Sequence, residues 1–335
     1  MDLNARFHKK LFKFKRPSGT SRGILTEKYS WYIELWDIKD PDIVGIGECS
    51  IIPGLSPDFV DSASYEAKIE SVCKDLKQDI NDWPSIKFGV ETALLDMKNG
   101  GKSIIYDNDF SRSQKGIPIN GLIWMGDEKF MKAQIEEKIE LGFTTIKMKI
   151  GALDFDREYD ILNSIRKSYS ANEITLRVDA NGAFSAIDAL KKLTLLSELE
   201  IHSIEQPIMA GQTNRMRKLC QQTPLPIALD EELIGINTVA DKTVLLDTIK
   251  PQFIVIKPSL HGGISGSREW IEIAEKQDIK WWMTSALESN VGLNAICQLT
   301  AEFDNELPQG LGTGSLYIEN TSSNLVVQNG SIYYM

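Results

Sequence analysis

Three acidic residues recur at one position in three successive segments of the chain. Asp179, Glu205 and Asp230 each stand at the end of a short apolar run, and the intervals are 205 − 179 = 26 and 230 − 205 = 25 residues. One such acid alone is more simply a residue that caps the next helix or faces water. Three in register would repel one another unless a cation lay between them. Oxygen ligands of this charge suit Mg²⁺, or Mn²⁺ in its place, better than zinc, so we predict that the three acids bind such a metal.

Lysines flank these acids on both sides. Lys147 and Lys149 belong to the segment before the first acid, and Lys257 belongs to the segment after the third. Residues two apart on a strand share a face, so we expect Lys147 and Lys149 to point together into the centre or mouth of the fold. One explanation is a structural ion network with the acids. We favour a second one, because a lysine beside a metal and another ammonium can take a proton from the carbon next to a carboxylate.

The segments that carry these residues alternate short apolar runs with amphipathic helices. The apolar runs are residues 117–124, 145–150, 174–178, 203–205, 226–229, 253–256 and 279–283, with an eighth from Gly310 onward. Runs that are apolar throughout are typical of parallel strands buried on both faces. They predict a closed barrel or an open doubly wound sheet, and we favour the barrel because no glycine cluster matches a nucleotide-binding loop. In a barrel these acids and lysines lie at the carboxyl rim, where active sites are built.

Two further regions have helical patterns. Residues 185–198 are predicted as a helix with Ser185 as its N-cap, and its expected buried stripe is Ile187, Leu190, Leu193 and Leu196. Before residue 115, a strand-like stretch at 29–36 precedes helical spacing at 64–80 and 85–99. A sheet followed by helices predicts an α+β domain ahead of the barrel.

Composition excludes several classes of function. The formal net charge of −10 argues against nucleic acid as a partner, because phosphate backbones are bound by clustered Lys and Arg. The basic stretch at residues 8–16 is better explained as an edge strand with a charged face than as a membrane or nucleic-acid patch.

No apolar run approaches ~20 residues and residues 1–16 lack the apolar core of a signal peptide, so we expect a cytoplasmic protein outside the membrane. Nothing in the sequence indicates an oligomer. The widely spaced cysteines predict reduced thiols; they are Cys49, Cys73, Cys220 and Cys297.

Five short motifs follow one another in a specific order. They are Lys147-Met148-Lys149, Asp179-Ala180-Asn181, Glu205-Gln206-Pro207, Asp230-Glu231-Glu232 and Lys257-Pro258. Over nearly the whole chain this order resembles the enolase superfamily, and within it the muconate-lactonising branch. Residues 117–126 and 285–292 are most similar to the o-succinylbenzoate synthase family of that branch.

The resemblance implies a fold and a division into domains. The fold would be of the α/β class, a modified (β/α)8 TIM-type barrel of the form (β/α)7β with an N-terminal α+β capping domain. The capping domain would span residues 1–115, the catalytic barrel residues 116–315, and a C-terminal segment at 316–335 would pack back on the capping domain. Residues 18–23 resemble the mobile specificity loop of the family. Gly47-Glu48 and Gly54-Leu55-Ser56 resemble its second closing loop.

The resemblance also implies roles for individual residues. Asp179, Glu205 and Asp230 would bind Mg²⁺ or Mn²⁺, and Asn181 and Glu231 would support them from behind.

The same resemblance implies the roles of the three lysines and the residues that contact the substrate. Lys149 would be the catalytic base, Lys257 would stabilise the intermediate from the opposite face, and Lys147 would orient the substrate carboxylate. The other expected substrate contacts are Thr20, Ser21, Arg22, Ser285, Leu287 and Gly312.

The implied partner is a small carboxylate molecule, and the implied reaction is a dehydration. The family removes water from 2-succinyl-6-hydroxy-2,4-cyclohexadiene-1-carboxylate by syn elimination, which gives o-succinylbenzoate for menaquinone biosynthesis. N-acylamino acid racemases and dipeptide epimerases of the same branch keep the lysines and acids, so they remain the alternative. Epimerases typically carry Asp-x-Asp after the last barrel strands. Residues 310–315 contain no acid here, which disfavours a dipeptide substrate.

Overall fold

The first part of the chain is an antiparallel sheet covered by two helices. The computed structural model describes residues 2–20, 23–124 and 126–335, leaving aside the side chains of 18–20. Strands β1 (Leu3–Thr20), β2 (Gly23–Asp37) and β3 (Asp40–Ser50) pair in that order. Helices α1 (Ser62–Lys74) and α2 (Pro84–Lys98) pack on the sheet. Their shared core includes Trp31, Ile33, Leu35, Tyr65, Ile69, Ile86 and Val90.

Helix α1 is shorter than the sequence pattern predicted. It ends at Lys74 rather than near residue 80. The next residue, Asp75, is extended, and its side chain accepts a hydrogen bond from the backbone N–H of Lys77 at 3.0 Å. Such a local bond competes with the helix. Ile80 still packs against the core of this first region, which explains why its spacing looked helical.

The second part of the chain is the predicted barrel. Seven parallel strands adjoin in the order β11-β10-β9-β8-β7-β6-β5. After the short β4 (Ile117–Pro118), they are β5 (Gly121–Ile123), β6 (Thr145–Lys149), β7 (Thr175–Asp179), β8 (Ser203–Glu205), β9 (Ile227–Leu229), β10 (Phe253–Ile256) and β11 (Lys280–Met283). The predicted eighth segment is reduced to single-residue bridges, in which Gln309 pairs with Ile119 and Gly310 with Thr284. These bridges join the two ends of the sheet and close the barrel.

Helices follow the strands on the outside. They are α3 (Glu128–Glu140), α4 (Phe155–Ser168), α5 (Ala189–Ser197), α6 (Thr213–Gln222), α7 (Val239–Ile249), α8 (Gly263–Lys276) and α9 (Asn290–Thr300). The prediction for α5 was partly wrong, since the helix begins at Ala189 and Ile187 is 90% exposed. The Ser185 hydroxyl accepts a bond from the Asp188 N–H and forms a turn before the helix. Leu193 and Leu196 are buried as predicted.

The end of the chain contacts both parts. Strands β12 (Leu325–Gln328) and β13 (Ser331–Tyr334) form a hairpin, and β13 pairs with β4. Before it, the backbone N–H of Ile318 donates to Lys13 and that of Lys15 donates to Leu316, both bonds to β1. The exact domain boundaries stay predictions. The four cysteines are free thiols, and no helix in the described ranges has the length and apolar character to span a bilayer.

Candidate active site

Strand register brings the three acids to one place inside the barrel rim. Asp179 is paired with Glu205 across β7 and β8. Glu205 is paired with Ala228 of β9, and Asp230 lies two residues further along, so its side chain points to the same face. All three acids are at most 1% exposed.

The three lysines contact these acids directly. The ammonium of Lys147 lies 2.6 Å from Glu205 Oε2 and 3.1 Å from Asp179 Oδ2. Lys149 Nζ lies 2.9 Å from Asp179 Oδ2, and Lys257 forms an ion pair with Asp230. Lys149 is on β6 and Lys257 directly follows β10, so the two lysines stand at opposite ends of the row of acids.

Asn181 and Glu231 lie behind this row. The Asn181 side-chain carbonyl accepts a bond from Lys149 at 2.7 Å, and its amide donates to Glu231 Oε1 at 3.0 Å. The backbone N–H of Asn181 also donates to Asp179 Oδ1 at 3.1 Å. The structure therefore places both residues next to the acids and lysines that they were expected to support.

Two side chains that the sequence reasoning left without a role also shape the site. Gln206 Oε1 accepts the backbone N–H groups of Asp230 and Glu232, at 3.2 and 3.3 Å. Its amide donates to Glu232 Oε2 at 3.1 Å. Gln206 thereby ties the end of β8 to the turn that carries Asp230. The sequence feature that could have indicated this role is that Gln206 and Glu232 each belong to one of the five motifs.

His261 is a third residue that was missed. Its Nδ1 accepts the backbone N–H of Lys257 at 3.0 Å, which fixes the start of the turn after β10. Burial lowers the pKa of His261 well below its ordinary value, so the imidazole is neutral. The four-residue interval from Lys257 was the only local signal for this contact.

Burial and mutual repulsion make the acids unequal. Burial, with repulsion from Asp179, raises the pKa of Glu205 to about 7. Burial also raises the pKa of Asp230. Although burial opposes it, attraction to Lys147, Lys149 and Lys257 lowers the pKa of Asp179. Negative charge on Glu205 and Asp230 is therefore incompletely compensated by the protein itself.

Raised pKa values keep the Lys147 and Lys257 ammonium groups charged. Burial lowers the pKa of Lys147, but attraction to Asp179 and Glu205 outweighs it and the net shift is upward. The same balance, with Asp230 as the main attraction, raises the pKa of Lys257. Both side chains are thus cations at neutral pH.

The donor atoms fit a divalent cation. Among the described residues, Glu205 Oε1 and Asp230 Oδ1 are buried oxygens that accept no hydrogen bond. Buried polar atoms are rarely left so, and carboxylate oxygens are what Mg²⁺ and Mn²⁺ prefer. In the same described ranges, no three acidic, His or Cys side chains are grouped closely enough to hold a metal as they stand, and the Lys147 ammonium lies between Asp179 and Glu205. A shared cation would require this ammonium to shift.

A cavity of about 480 Å³ opens above these groups. Lys149, Asp179 and Lys257 line its base, whereas Glu205 and Asp230 are not among its described lining residues. Of the expected substrate contacts, four line the cavity: Lys147, Ser285, Leu287 and Gly312. Ser21 and Arg22 lie outside the described residues, and so does the side chain of Thr20.

The first part of the chain supplies the cavity roof. Lys15, Arg16 and Leu25 come from β1 and β2, and Pro53 and Leu55 come from the loop expected to close over the substrate. The basic stretch is the edge strand β1 as predicted, and its end also faces the cavity. The barrel adds residues that the sequence did not single out for this purpose: Trp124, Phe130 and Lys138.

Comparison with known proteins agrees with the fold. Residues 130–334 match the family described as Enolase C-terminal domain-like. An o-succinylbenzoate synthase from Desulfotalea psychrophila is 44% identical, with 95% of each chain covered.

Solved structures give the same result. The crystal structure of MenC from Desulfotalea psychrophila aligns with a TM-score of 0.86 at 40% identity, covering 99% of this chain and 100% of that one. The substrate-liganded L-Ala-D/L-Glu epimerase from Bacillus subtilis aligns with a TM-score of 0.82 at 20% identity, covering 100% and 97%. At that identity the second likeness concerns the fold alone. The predicted capped (β/α)7β barrel is confirmed.

Proposed function

The chain belongs to the enolase superfamily and, within it, to the o-succinylbenzoate synthase family, and on that premise we propose that it is a hydro-lyase. Its substrate is 2-succinyl-6-hydroxy-2,4-cyclohexadiene-1-carboxylate and its product is o-succinylbenzoate, an intermediate of menaquinone biosynthesis. One observation carries the assignment. Lys149 and Lys257 contact the two ends of a buried row of acids and both line the base of one cavity.

We assign the metal as Mg²⁺, with Mn²⁺ able to replace it. Asp179, Glu205 and Asp230 would hold it, and Asn181 and Glu231 would keep these ligands and Lys149 in place. When bound, the cation would make the C–H bond next to the substrate carboxylate more acidic. The unsatisfied oxygens of Glu205 and Asp230 support this assignment.

Lys149 moves the proton. Lys149 takes the proton from the carbon next to the carboxylate, and the C–H electron pair remains on the substrate as negative charge. That pair then forms the new C=C bond of the aromatic ring while the C–O bond to the hydroxyl breaks. The Lys149 ammonium returns its proton to the departing hydroxyl, which leaves as water. One group serves both steps, so proton and hydroxyl leave from the same face.

Lys257 and Lys147 act through charge. Lys257 remains an ammonium because Asp230 raises its pKa, and it stabilises the negative charge from the face opposite Lys149. As the ring becomes aromatic, a cation–π contact adds to this stabilisation. Lys147, which lies between Asp179 and Glu205 before a cation binds, orients the substrate carboxylate at the cavity base.

Racemisation of an N-acylamino acid or epimerisation of a dipeptide is the competing activity. A lysine on each face could deliver a proton to either side of the same carbon. A dipeptide amine needs an acidic partner in the cavity wall. Of the two acids among the described lining residues, Asp179 is paired with Lys147 and Lys149, and Glu137 lies 3.8 Å from the Lys138 ammonium. The wall from Gly310 to Ser315 offers none. This argues for a substrate without a free amine.

Incubating the purified protein with Mg²⁺ and the dehydration substrate tests the function. We expect o-succinylbenzoate to accumulate, which is measured by the absorbance of its aromatic ring. A chelator should abolish the reaction. N-acylamino acids and dipeptides are incubated in D₂O in parallel. Rapid deuterium exchange at their α-carbon without any dehydration product would overturn the assignment in favour of a racemase or epimerase.

We also propose the division into a capping domain at residues 1–115, a barrel at 116–315 and a terminal segment at 316–335. The small carboxylate is the partner that the cavity fits, while the net charge of −10 disfavours nucleic acid. We place the protein in the cytoplasm because its four cysteines are free thiols.

A further inference from the structure

We propose that Lys28, on β2 of the capping region, is a positioning residue that holds the cavity wall formed by Ser285, Ala286 and Leu287. The inference rests on the proposed function, because it concerns how tightly that substrate is held. Lys28 lies far in sequence from the five active-site motifs, and it does not line the cavity itself.

Lys28 is a buried cation with two direct partners. Its side chain is 3% exposed, and its ammonium donates to the Ser50 hydroxyl and, at 2.8 Å, to the backbone carbonyl of Leu287. The Tyr317 hydroxyl donates to the same carbonyl at 2.6 Å. One carbonyl of the barrel wall is therefore held by the capping sheet and by the C-terminal segment together.

The held residue has an unusual backbone. Leu287 has a φ of 61°, in the left-handed region that few residues other than glycine adopt. Such a conformation costs free energy and persists only where the surroundings enforce it. Its side chain packs against Phe12, Phe14 and Tyr32 of the capping sheet. Ser285, Ala286 and Leu287 all face the cavity, so the enforced conformation shapes the substrate site.

Two buried carboxylates surround the same wall. Glu48 of β3 accepts the Ser289 N–H at 2.9 Å, the Ser289 hydroxyl at 2.6 Å and the Gly292 N–H at 3.0 Å, which caps the start of α9. Glu288 accepts the hydroxyls of Ser259 and Ser285, each at 2.6 Å. Burial lowers the pKa of Lys28, and attraction to both carboxylates opposes that shift. The capping region thus supplies the cation and one of the two anions that fix residues 285–289.

The consequence is separable from proton transfer. Lys28 makes no direct bond to Asp179, Asp230 or either catalytic lysine, so its loss leaves the chemical machinery in place. The wall around Leu287 would relax, and the substrate would be held less well. We therefore expect a rise in KM rather than a fall in kcat.

Steady-state kinetics of Lys28→Met test this. Methionine keeps much of the buried stem but removes the charge and the donors. We expect kcat/KM to fall roughly tenfold, mainly through KM, and Lys28→Arg to restore most of it. The matched control is Lys242→Met, which removes another buried ammonium, one bonded to Glu269 and Gly266 outside the cavity. This control should lower Tm without raising KM.

If Lys28→Met does not fold, Tyr317→Phe provides a second test. It removes only the second donor to the Leu287 carbonyl, and a raised KM with unchanged kcat is expected. An unchanged KM in every folded variant, to within about twofold, would overturn the inference. Wild-type protein that makes no o-succinylbenzoate would instead overturn the proposed function, so the two failures are distinguishable.

Discussion

Two buried clusters in this molecule combine acids with lysines, and they differ in how completely their oxygens are satisfied. At the barrel rim, Glu205 Oε1 and Asp230 Oδ1 accept no hydrogen bond from the described residues. In the cluster between capping region and barrel, Glu48 and Glu288 each use both carboxylate oxygens as acceptors. Both clusters are almost fully buried.

The difference distinguishes a site for chemistry from a structural cluster. We call the second cluster, formed by Lys28, Glu48, Glu288 and Ser289, the joint between the capping region and the barrel. A buried carboxylate oxygen without a partner costs free energy, and a bound cation would supply the missing partner for Glu205 Oε1 and Asp230 Oδ1. Carboxylates with every oxygen satisfied stabilise the arrangement around them. We infer that the rim cluster gives up stability for function, and that the cluster around Glu48 and Lys28 stabilises the fold and orients the cavity wall.

Lys149→Ala should give the largest effect. Because Lys149 moves the proton, we expect kcat to fall by about 10² to 10⁴, with little change in Tm. Lys257→Ala should lose at least about a hundredfold, since it stabilises developing charge. Kinetics and thermal unfolding of both variants measure this, with the exposed Lys276→Ala as control. Turnover of Lys149→Ala equal to wild type would leave the rim cluster without its catalytic role.

Glu48→Gln should destabilise the fold. The glutamine amide keeps only one acceptor oxygen, so at least one of three donors loses its partner: the Ser289 N–H, the Ser289 hydroxyl or the Gly292 N–H. We expect a loss of about 1 to 3 kcal/mol in the free energy of unfolding, measured by urea titration. Glu70→Gln, on the exposed face of α1, is the control. Equal unfolding midpoints for Glu48→Gln and wild type would contradict a structural role for the joint.

Asp230→Asn should weaken the metal. Replacing one of three anionic ligands removes charge and a donor atom, and we expect the Mg²⁺ dissociation constant to rise at least about tenfold, or ~1.4 kcal/mol. Isothermal titration of the metal-free protein measures it, and the exposed Asp241→Asn serves as control. Unchanged stoichiometric binding would exclude Asp230 as a ligand.

Glu205→Gln should have the smallest effect on stability. In the metal-free protein this carboxylate has an unsatisfied oxygen and a pKa raised to about 7, so a neutral side chain removes little. We expect the free energy of unfolding to change by less than about 1 kcal/mol or to increase. A loss of about 3 kcal/mol or more would instead mark a stabilising buried ion pair and erase the contrast with Glu48.

The sequence was sufficient for the rim but not for the joint. Asp179, Glu205 and Asp230 could be placed together because the first two end their strands, the third directly follows its strand, and the repeat itself encodes their register. Lys149 and Lys257 followed from the same repeat. Their contacts with Asp179 and Asp230 are those expected of lysines that flank the acids.

The joint depends on contacts that no local pattern encodes. Lys28 and Leu287 are 259 residues apart, and Glu48 and Ser289 are 241 apart. Periodicity also misled where a turn intervened, as at Ile187, whose spacing fits the helical stripe although the helix begins two residues later. Such features are settled by tertiary packing rather than by local sequence.

A crystal structure with Mg²⁺ and o-succinylbenzoate would show whether the three acids share one cation between the two lysines. We expect one ion at about 2.0 to 2.1 Å from oxygens of Asp179, Glu205 and Asp230, with the Lys147 ammonium displaced. The amines of Lys149 and Lys257 should approach opposite faces of the product ring. An ion bound elsewhere, or both amines on one face of the ring, would contradict this expectation.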